Sequence, residues 1–360
     1  MMWKRRVWIL LAAGLASLIF LPRLAAQEAA PARVVNCLAT PDENGCQAGL
    51  PAAQYQLYLD EMALNPRPKI MPLPPNTEEL KRFKFRQLTN EAGTVIYDAP
   101  GGNAIGNMAP GFHFVTVQSV AEGWVEINPG QWVVADDTLP YTPSSFAGFM
   151  FNPADWAHPV AWILKNEYPS AYAGGEADST LPPLRRYTVV HLYATVRGAD
   201  GWDWYLVGPR TWVRQTSVAR VQLIPRPEGF KGRWAAVDLY EQVMVAYEED
   251  TPMFATLISS GLPEWSTNEG TFQTWARISL DAMSGAEGQT DFYNLEAVPW
   301  TLYFDNAISL HGAYWHDGFG YRRSHGCVNM SLSDSFWFYH WTAENGYDKP
   351  FVHVFSSGEY

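Results

Sequence analysis

The sequence predicts a mainly β protein assembled from several small units in tandem. From about Phe83 onward, short runs of β-branched and aromatic residues alternate with Gly, Asn and Asp turns, as in Thr94-Val95-Ile96-Tyr97 and Phe112-His113-Phe114-Val115-Thr116-Val117. A pattern of Trp, Pro and Trp-Val occurs twice with the same spacing. The length of 360 residues asks for two or three domains at roughly 100–200 residues each. Apolar residues make up 47% and aromatic residues 14% of the chain, enough for packed cores rather than a disordered polymer. A net charge of −12 repels a phosphate backbone, so no nucleic acid is expected as a partner.

The first residues have the composition of an export signal. Lys4, Arg5 and Arg6 precede the uncharged run Val7 to Leu21, Pro22 ends it, and Ala25 and Ala26 supply small residues for cleavage. Residues 1–26 are either a cleaved signal peptide or an uncleaved anchor, and only the anchor brings in a membrane. The run is short against the roughly 20 apolar residues of a full span. The expected location is the cell envelope, outside the cytoplasm, where disulfides persist. The cysteines are Cys37, Cys46 and Cys327. Cys37 and Cys46 flank the turn-rich Pro41-Asp42-Glu43-Asn44-Gly45. If they pair, Cys327 is left over and asks for a chemical explanation.

Residues 27–82 are expected to hold one helix and a linker. Pro51 to Leu64 has amphipathic spacing, and Asn65-Pro66-Arg67-Pro68 stops it. The following stretch to Asn76, with Pro72, Pro74 and Pro75, predicts a semi-rigid linker. The repeat comes next. Trp124 is followed five positions on by Pro129 and eight on by Trp132-Val133; Trp204 is followed likewise by Pro209 and Trp212-Val213. Strand-like runs precede both, Phe112 to Val120 and Tyr187 to Val196, so an internal duplication is expected. The pattern resembles bacterial SH3-like modules, small β-barrels attached to wall enzymes. That resemblance implies tandem SH3-like barrels over 83–142 and 143–228. The tryptophans are then either barrel core residues or exposed wall-binding aromatics.

From Gly232 another β-rich unit begins. Trp234 to Leu239 and Val243 to Tyr247 are strand-like, Glu248 to Pro252 is turn chemistry, Met253 to Ser259 is a further strand, and Ser260-Gly261 breaks it. The chemistry concentrates in Leu310 to Met330. Cys327 there follows a histidine and a glycine, Arg322 and Arg323 lie upstream, and a second His-Gly stands at 311–312. A cysteine attacks as thiolate, favoured by nearby cations, and needs a base within hydrogen-bond reach. Gly326 allows a tight backbone whose N–H groups could hold an oxyanion. Other readings stay open. His311, His316, His325 and Cys327 suit zinc, although their spacing fits no standard zinc pattern. His325 and Cys327 could be inert core residues. Arg322 and Arg323 could be a solvated turn.

His311-Gly312 followed by Ser324-His325-Gly326-Cys327-Val328-Asn329 resembles the signature of the YkuD-type L,D-transpeptidases. Gly261-Leu262-Pro263 and Gly270-Thr271-Phe272 resemble the family's upstream strand end and turn, with the usual turn proline missing from Thr267 to Phe272. The resemblance implies a mixed, mostly β catalytic domain over 232–356. It makes Cys327 the nucleophile and His311 the base, with the Gly312 carbonyl orienting the imidazole. His325 and Gly326 would shape the oxyanion site, Asn329 would support it, and Tyr314, Trp315, Arg323 and Ser324 would face the substrate.

The reaction so implied is acyl transfer without metal or cofactor. The Cys327 thiolate attacks the carbonyl before the terminal D-Ala of a peptidoglycan tetrapeptide stem, and the thioester passes to an amine of a second stem. Carbapenems are implied as covalent inhibitors. With water as acceptor the enzyme is an L,D-carboxypeptidase. NlpC-like cysteine endopeptidases carry their histidine after the cysteine, whereas His311 precedes Cys327. A non-catalytic wall-binding protein remains a further reading.

Overall fold

The computed structural model describes residues 36–82, 84–151, 157–289, 291–346 and 349–358, and the expected export segment 1–26 lies outside them. Among the described residues no helix is long and apolar enough to cross a membrane. Cys37 and Cys46 form a disulfide, with Cα atoms 5.3 Å apart. Helix α1, Ala52–Leu64, starts at Pro51 and ends before the Asn65-Pro66 step, because proline lacks the amide a continuing helix needs. Its buried residues Tyr55 and Met62 are seven positions apart, one face of a helix. That face packs against Leu206 and Trp212 of the second repeat copy, and the Arg210 amide donates to the Tyr55 hydroxyl at 2.8 Å.

The proline-rich stretch after α1 is not a free linker. Met71 and Pro72 pair with Met150 and Phe149 at the outer edge of a sheet, a position where a missing amide costs no ladder bond. The two repeat copies pair as their shared pattern suggests. Trp124–Asn128 is antiparallel to Gln131–Val134, and Asp203–Gly208 to Thr211–Arg214. Their interiors differ. Trp204 and Trp212 are buried in the second copy. In the first copy Val125, Ile127 and Val133 fill the core, while Trp124 and Trp132 are half-buried. Alternation puts Trp204 and Tyr205 on opposite faces as it does Trp124 and Val125, but in the second copy α1 covers the tryptophan face with Tyr55 and Met62.

The first copy does not close on itself. Three of its strands, β1 (Phe85–Leu88), β2 (Phe112–Thr116) and β3 (Thr138–Tyr141), continue into the sheet of the C-terminal unit. The C-terminal strands are β4 (Arg233–Asp238), β5 (Val243–Glu248), β6 (Thr251–Leu257), β7 (Gly270–Gln273), β8 (Ala276–Gly285), β9 (Tyr293–Asp305), β10 (Ile308–Gly312), β11 (Val328–Met330) and β12 (Phe351–Phe355). One sheet runs β7-β12-β4-β5-β6 and ends on Phe149–Met150 and Met71–Pro72. The other runs β3-β1-β2-β9-β10-β11, with β8 paired to β9. The turn expected over Glu248 to Pro252 is tighter, because Glu249 adopts φ +52° and β6 already begins at Thr251.

Helix α2, Leu332–Ala343, is capped by Ser331, whose hydroxyl accepts from the Asp334 amide. Phe338, Tyr339 and Trp341 of α2 share one core with Val237, Met244 and Phe254 of one sheet and Leu302, Leu310 and Val328 of the other. The junction with the first repeat copy has its own core of Phe85, Phe114, Leu295, Val298, Tyr314 and Trp315. There Phe85 and Tyr314 stack with centroids 3.6 Å apart. Replacing Phe85 by Ala should cost about 3–5 kcal/mol, the usual range for a deleted core aromatic. An unshifted denaturation midpoint for that variant would show that the junction adds no stability.

Candidate active site

The site starts from a strand pair. β10 and β11 run parallel with Leu310 opposite Val328 and His311 opposite Asn329. Side chains alternate along a strand, so Ser309, His311, Cys327 and Asn329 project to one face. Leu310 and Val328 project to the other and sit in the main core. The Ser309 hydroxyl lies 3.6 Å from Cys327 Sγ, as this register requires. A cavity of about 220 Å³ opens over the face. His311, Trp315, Arg323, Ser324, His325, Cys327 and Asn329 line it, together with Phe112, Met283, Asp291, Tyr293 and Leu295.

The loop into Cys327 is held from several sides. Gly326 has φ +112°, a conformation that side-chain-bearing residues rarely adopt. Its amide donates to Ser324 Oγ, and that hydroxyl donates to the Cys327 carbonyl. Thr267 Oγ1 donates to the Gly326 carbonyl at 2.7 Å and accepts from the Gly261 amide at 3.0 Å. The Leu262 amide donates to the Ser324 carbonyl. Thr267, Gly261 and Leu262 of the upstream segments thus anchor the cysteine loop even without the turn proline. Gly312 packs so closely that an added Cβ would lie 2.6 Å from Ser335 Oγ.

His311 is buried, and the Gly312 carbonyl lies 3.3 Å from its Nδ1. With Nδ1–H donating there, Nε2 keeps the lone pair and is the basic nitrogen. Burial pushes the His311 pKa down to about 4, so the ring is neutral near pH 7. Cys327 is half-buried, and burial pushes its thiol up while hydrogen bonds from Ser309 pull the other way. The expectation of a resting thiolate favoured by nearby arginines is therefore corrected. Desolvation outweighs any cation, and the resting pair is thiol and neutral imidazole. Among the described residues the hydrogen bonds of Cys327 Sγ run to Ser309 and to the Ala307 carbonyl, not to His311.

A further expectation changes. Tyr314 does not face a peptide. It is buried on Phe85, and its hydroxyl donates to the Glu296 carbonyl. The oxyanion expectation for His325 rests on its backbone N–H, and its ring is engaged elsewhere. It bonds to Asp291 at 2.9 Å, with Trp265 and Tyr293 rings about it. Trp315, Arg323, Ser324 and Asn329 do line the cavity. Sequence reasoning missed Ser309, which strand alternation from His311 could have found. It also missed Met283, Asp291, Tyr293, Leu295 and above all Phe112, which comes from the first repeat copy. The four side chains considered for zinc engage different partners, and among the described residues no group of three or more His, Cys, Asp or Glu is placed to hold a metal ion.

A family comparison falls on the same segment. Residues 232–352 match the family model of the YkuD L,D-transpeptidase catalytic domain. These residues form a YkuD-type catalytic domain. No curated protein sequence matches the chain. Among solved structures, an Enterococcus faecium L,D-transpeptidase mutant is 26% identical over 35% of this chain and 50% of its own, with a TM-score of 0.31. The catalytic domain of an E. faecium L,D-transpeptidase acylated by ertapenem is 24% identical over 35% of this chain and 98% of its own, with a TM-score of 0.30. An L,D-transpeptidase from Mycobacterium smegmatis is 19% identical over 43% of this chain and 66% of its own, with a TM-score of 0.32. The chain thus spans about half the length of the first of these relatives.

The neutral pair in the YkuD domain makes a pH prediction. With His311 unprotonated above about pH 4, Cys327 acylation should change by less than about threefold between pH 5.5 and 7.5. Attack by an isolated thiolate would instead rise about tenfold per pH unit below the thiol pKa. Stopped-flow acylation across that range separates the two.

Proposed function

We propose that this protein is a peptidoglycan L,D-transpeptidase with Cys327 as nucleophile and His311 as proton carrier. The supporting observation is the shared face of β10 and β11, which sets the half-buried thiol and the neutral imidazole in one cavity. A tetrapeptide stem enters with the carbonyl before its terminal D-Ala at Cys327 Sγ. As sulfur attacks carbon, the thiol proton passes to His311 Nε2, and the carbonyl becomes an oxyanion. The C–N bond to D-Ala then breaks, His311 returns the proton to the departing amine, and a thioester remains. An amine of a second stem attacks the thioester, gives its proton to His311, and displaces the thiol as the cross-link forms. Water in place of the amine would give an L,D-carboxypeptidase.

In this reading the N-terminal β-units are SH3-like modules that flank the YkuD domain and present the wall to it. The protein works in the cell envelope. The Cys37–Cys46 disulfide supports an oxidising compartment, as does the signal-like composition of residues 1–26. Incubation with a carbapenem should add one adduct mass to the protein, and Cys327→Ala should abolish it. The same variant should release no D-Ala from a tetrapeptide, while His311→Ala should slow release by about 10²–10⁴-fold. An adduct that survives Cys327→Ala, or a wild-type protein that releases no D-Ala, would overturn the proposal. Product analysis with and without an amine acceptor distinguishes cross-linking from hydrolysis.

A further inference from the structure

Phe112 lies outside residues 232–352, the segment that matches the YkuD model, yet it lines the cavity that holds Cys327. The backbone fixes it there. β2 runs parallel to β9 with Phe112 opposite Tyr293 and Phe114 opposite Leu295. The Phe112 amide donates to the Phe292 carbonyl at 2.8 Å. Gly111 permits that approach, since a Cβ on it would lie 2.5 Å from the same carbonyl oxygen. Residues opposite each other on paired strands point to the same face, and so do residues two apart on one strand. Phe112, Tyr293 and Leu295 therefore share a face, and Met283 of β8, opposite Leu295, joins it. All four line the cavity.

This apolar patch grades from buried to open. Leu295 is buried, Met283 and Tyr293 are half-buried, and Phe112 is 41% exposed. The Tyr293 ring lies 4.9 Å from that of His325, two positions before Cys327. Asp291, the carboxylate on the cavity, is engaged by His325 at 2.9 Å. A charged group set directly on such a patch would lose water without gaining a partner. A methylene chain gains from it, and an open rim lets the polar end of that chain stay wet. The proposed reaction names such a chain. Its acceptor attacks through an amine, and donor and acceptor are stems of one kind, so the donor carries an amine-ended side chain too.

We infer that Phe112 is a specificity-determining residue, contributed by the first repeat copy, that packs against the methylene arm of the donor stem's third residue. That residue supplies the carbonyl attacked by Cys327, so its arm starts one atom from the reacting carbon. The inference rests on the transpeptidase reading for its substrate. Phe112→Ala removes the ring from an exposed position, and Phe112→Leu keeps an apolar surface there.

The test compares D-Ala release from tetrapeptides that differ in the third residue. Two carry the arm, with lysine or diaminopimelate in third place, and one carries alanine there. On the better of the two armed peptides, Phe112→Ala should raise KM about tenfold with kcat within about twofold of wild type, and Phe112→Leu should recover most of the loss. On the alanine peptide the wild type should already bind weakly, and Phe112→Ala should change kcat/KM by less than about twofold. An unchanged KM on the armed peptides, or equal losses with and without the arm, would overturn the inference, since a ring acting only on the fold would not distinguish the peptides. Calorimetry with Cys327→Ala reads binding without chemistry. There, adding Phe112→Ala should weaken the armed peptide about tenfold, and unchanged or undetectable binding of that peptide to Cys327→Ala would overturn the inference. Absence of D-Ala release by the wild type would count against the transpeptidase reading, and the calorimetry would still decide the role of Phe112.

Discussion

The parallel pairing of β10 with β11 is the constraint on which the site depends. Its register sets His311 opposite Asn329 and brings Ser309 beside Cys327. A slip of one residue would turn either pair of side chains into the core and bring Leu310 or Val328 into the cavity. The surroundings make such a slip costly. Leu310 and Val328 are buried in the core that joins both sheets to α2, and the upstream segment is bonded to Asn329 through the Ser259 amide and carbonyl. The packing that stabilises the domain is therefore the same packing that aligns its reactive groups.

Burial then decides the protonation states. The cavity floor removes water from both Cys327 and His311, and desolvation penalises the charged form of each. A resting ion pair is disfavoured on both sides, so charge has to be created during attack rather than stored beforehand. This suits an acyl transfer in which the proton moves with the nucleophile. A neutral thiol is also less open to oxidation than a thiolate.

The repeat copies are more than attachments to the YkuD domain. β2 runs parallel to β9, with Phe112 opposite Tyr293, so the first copy and the catalytic domain share one sheet. Phe112 reaches the cavity wall as a result. Glu296 of β9 accepts from the Thr116 amide of β2, a second tie across the same seam. The resemblance to SH3-like modules placed a boundary at 142. Hydrogen bonds between strands cross that boundary, and no local composition reports which distant strand an edge will meet.

Much of the site was legible from the order of residues. His311-Gly312 and Ser324-His325-Gly326-Cys327 carry the resemblance that implies a base and a nucleophile there. The lone Cys327 beside a Cys37–Cys46 pair pointed the same way, as did the helix bounded by Pro51 and Asn65. These are local matters of backbone geometry, donor type and chain order, which a sequence carries directly. Tertiary structure decided the rest. It buried Tyr314 against Phe85, turned the His325 ring to Asp291, brought Phe112 across to the cavity, and kept thiol and imidazole neutral. Each outcome depends on which surfaces meet and how much water they exclude, quantities that arise only when segments far apart in the chain pack together.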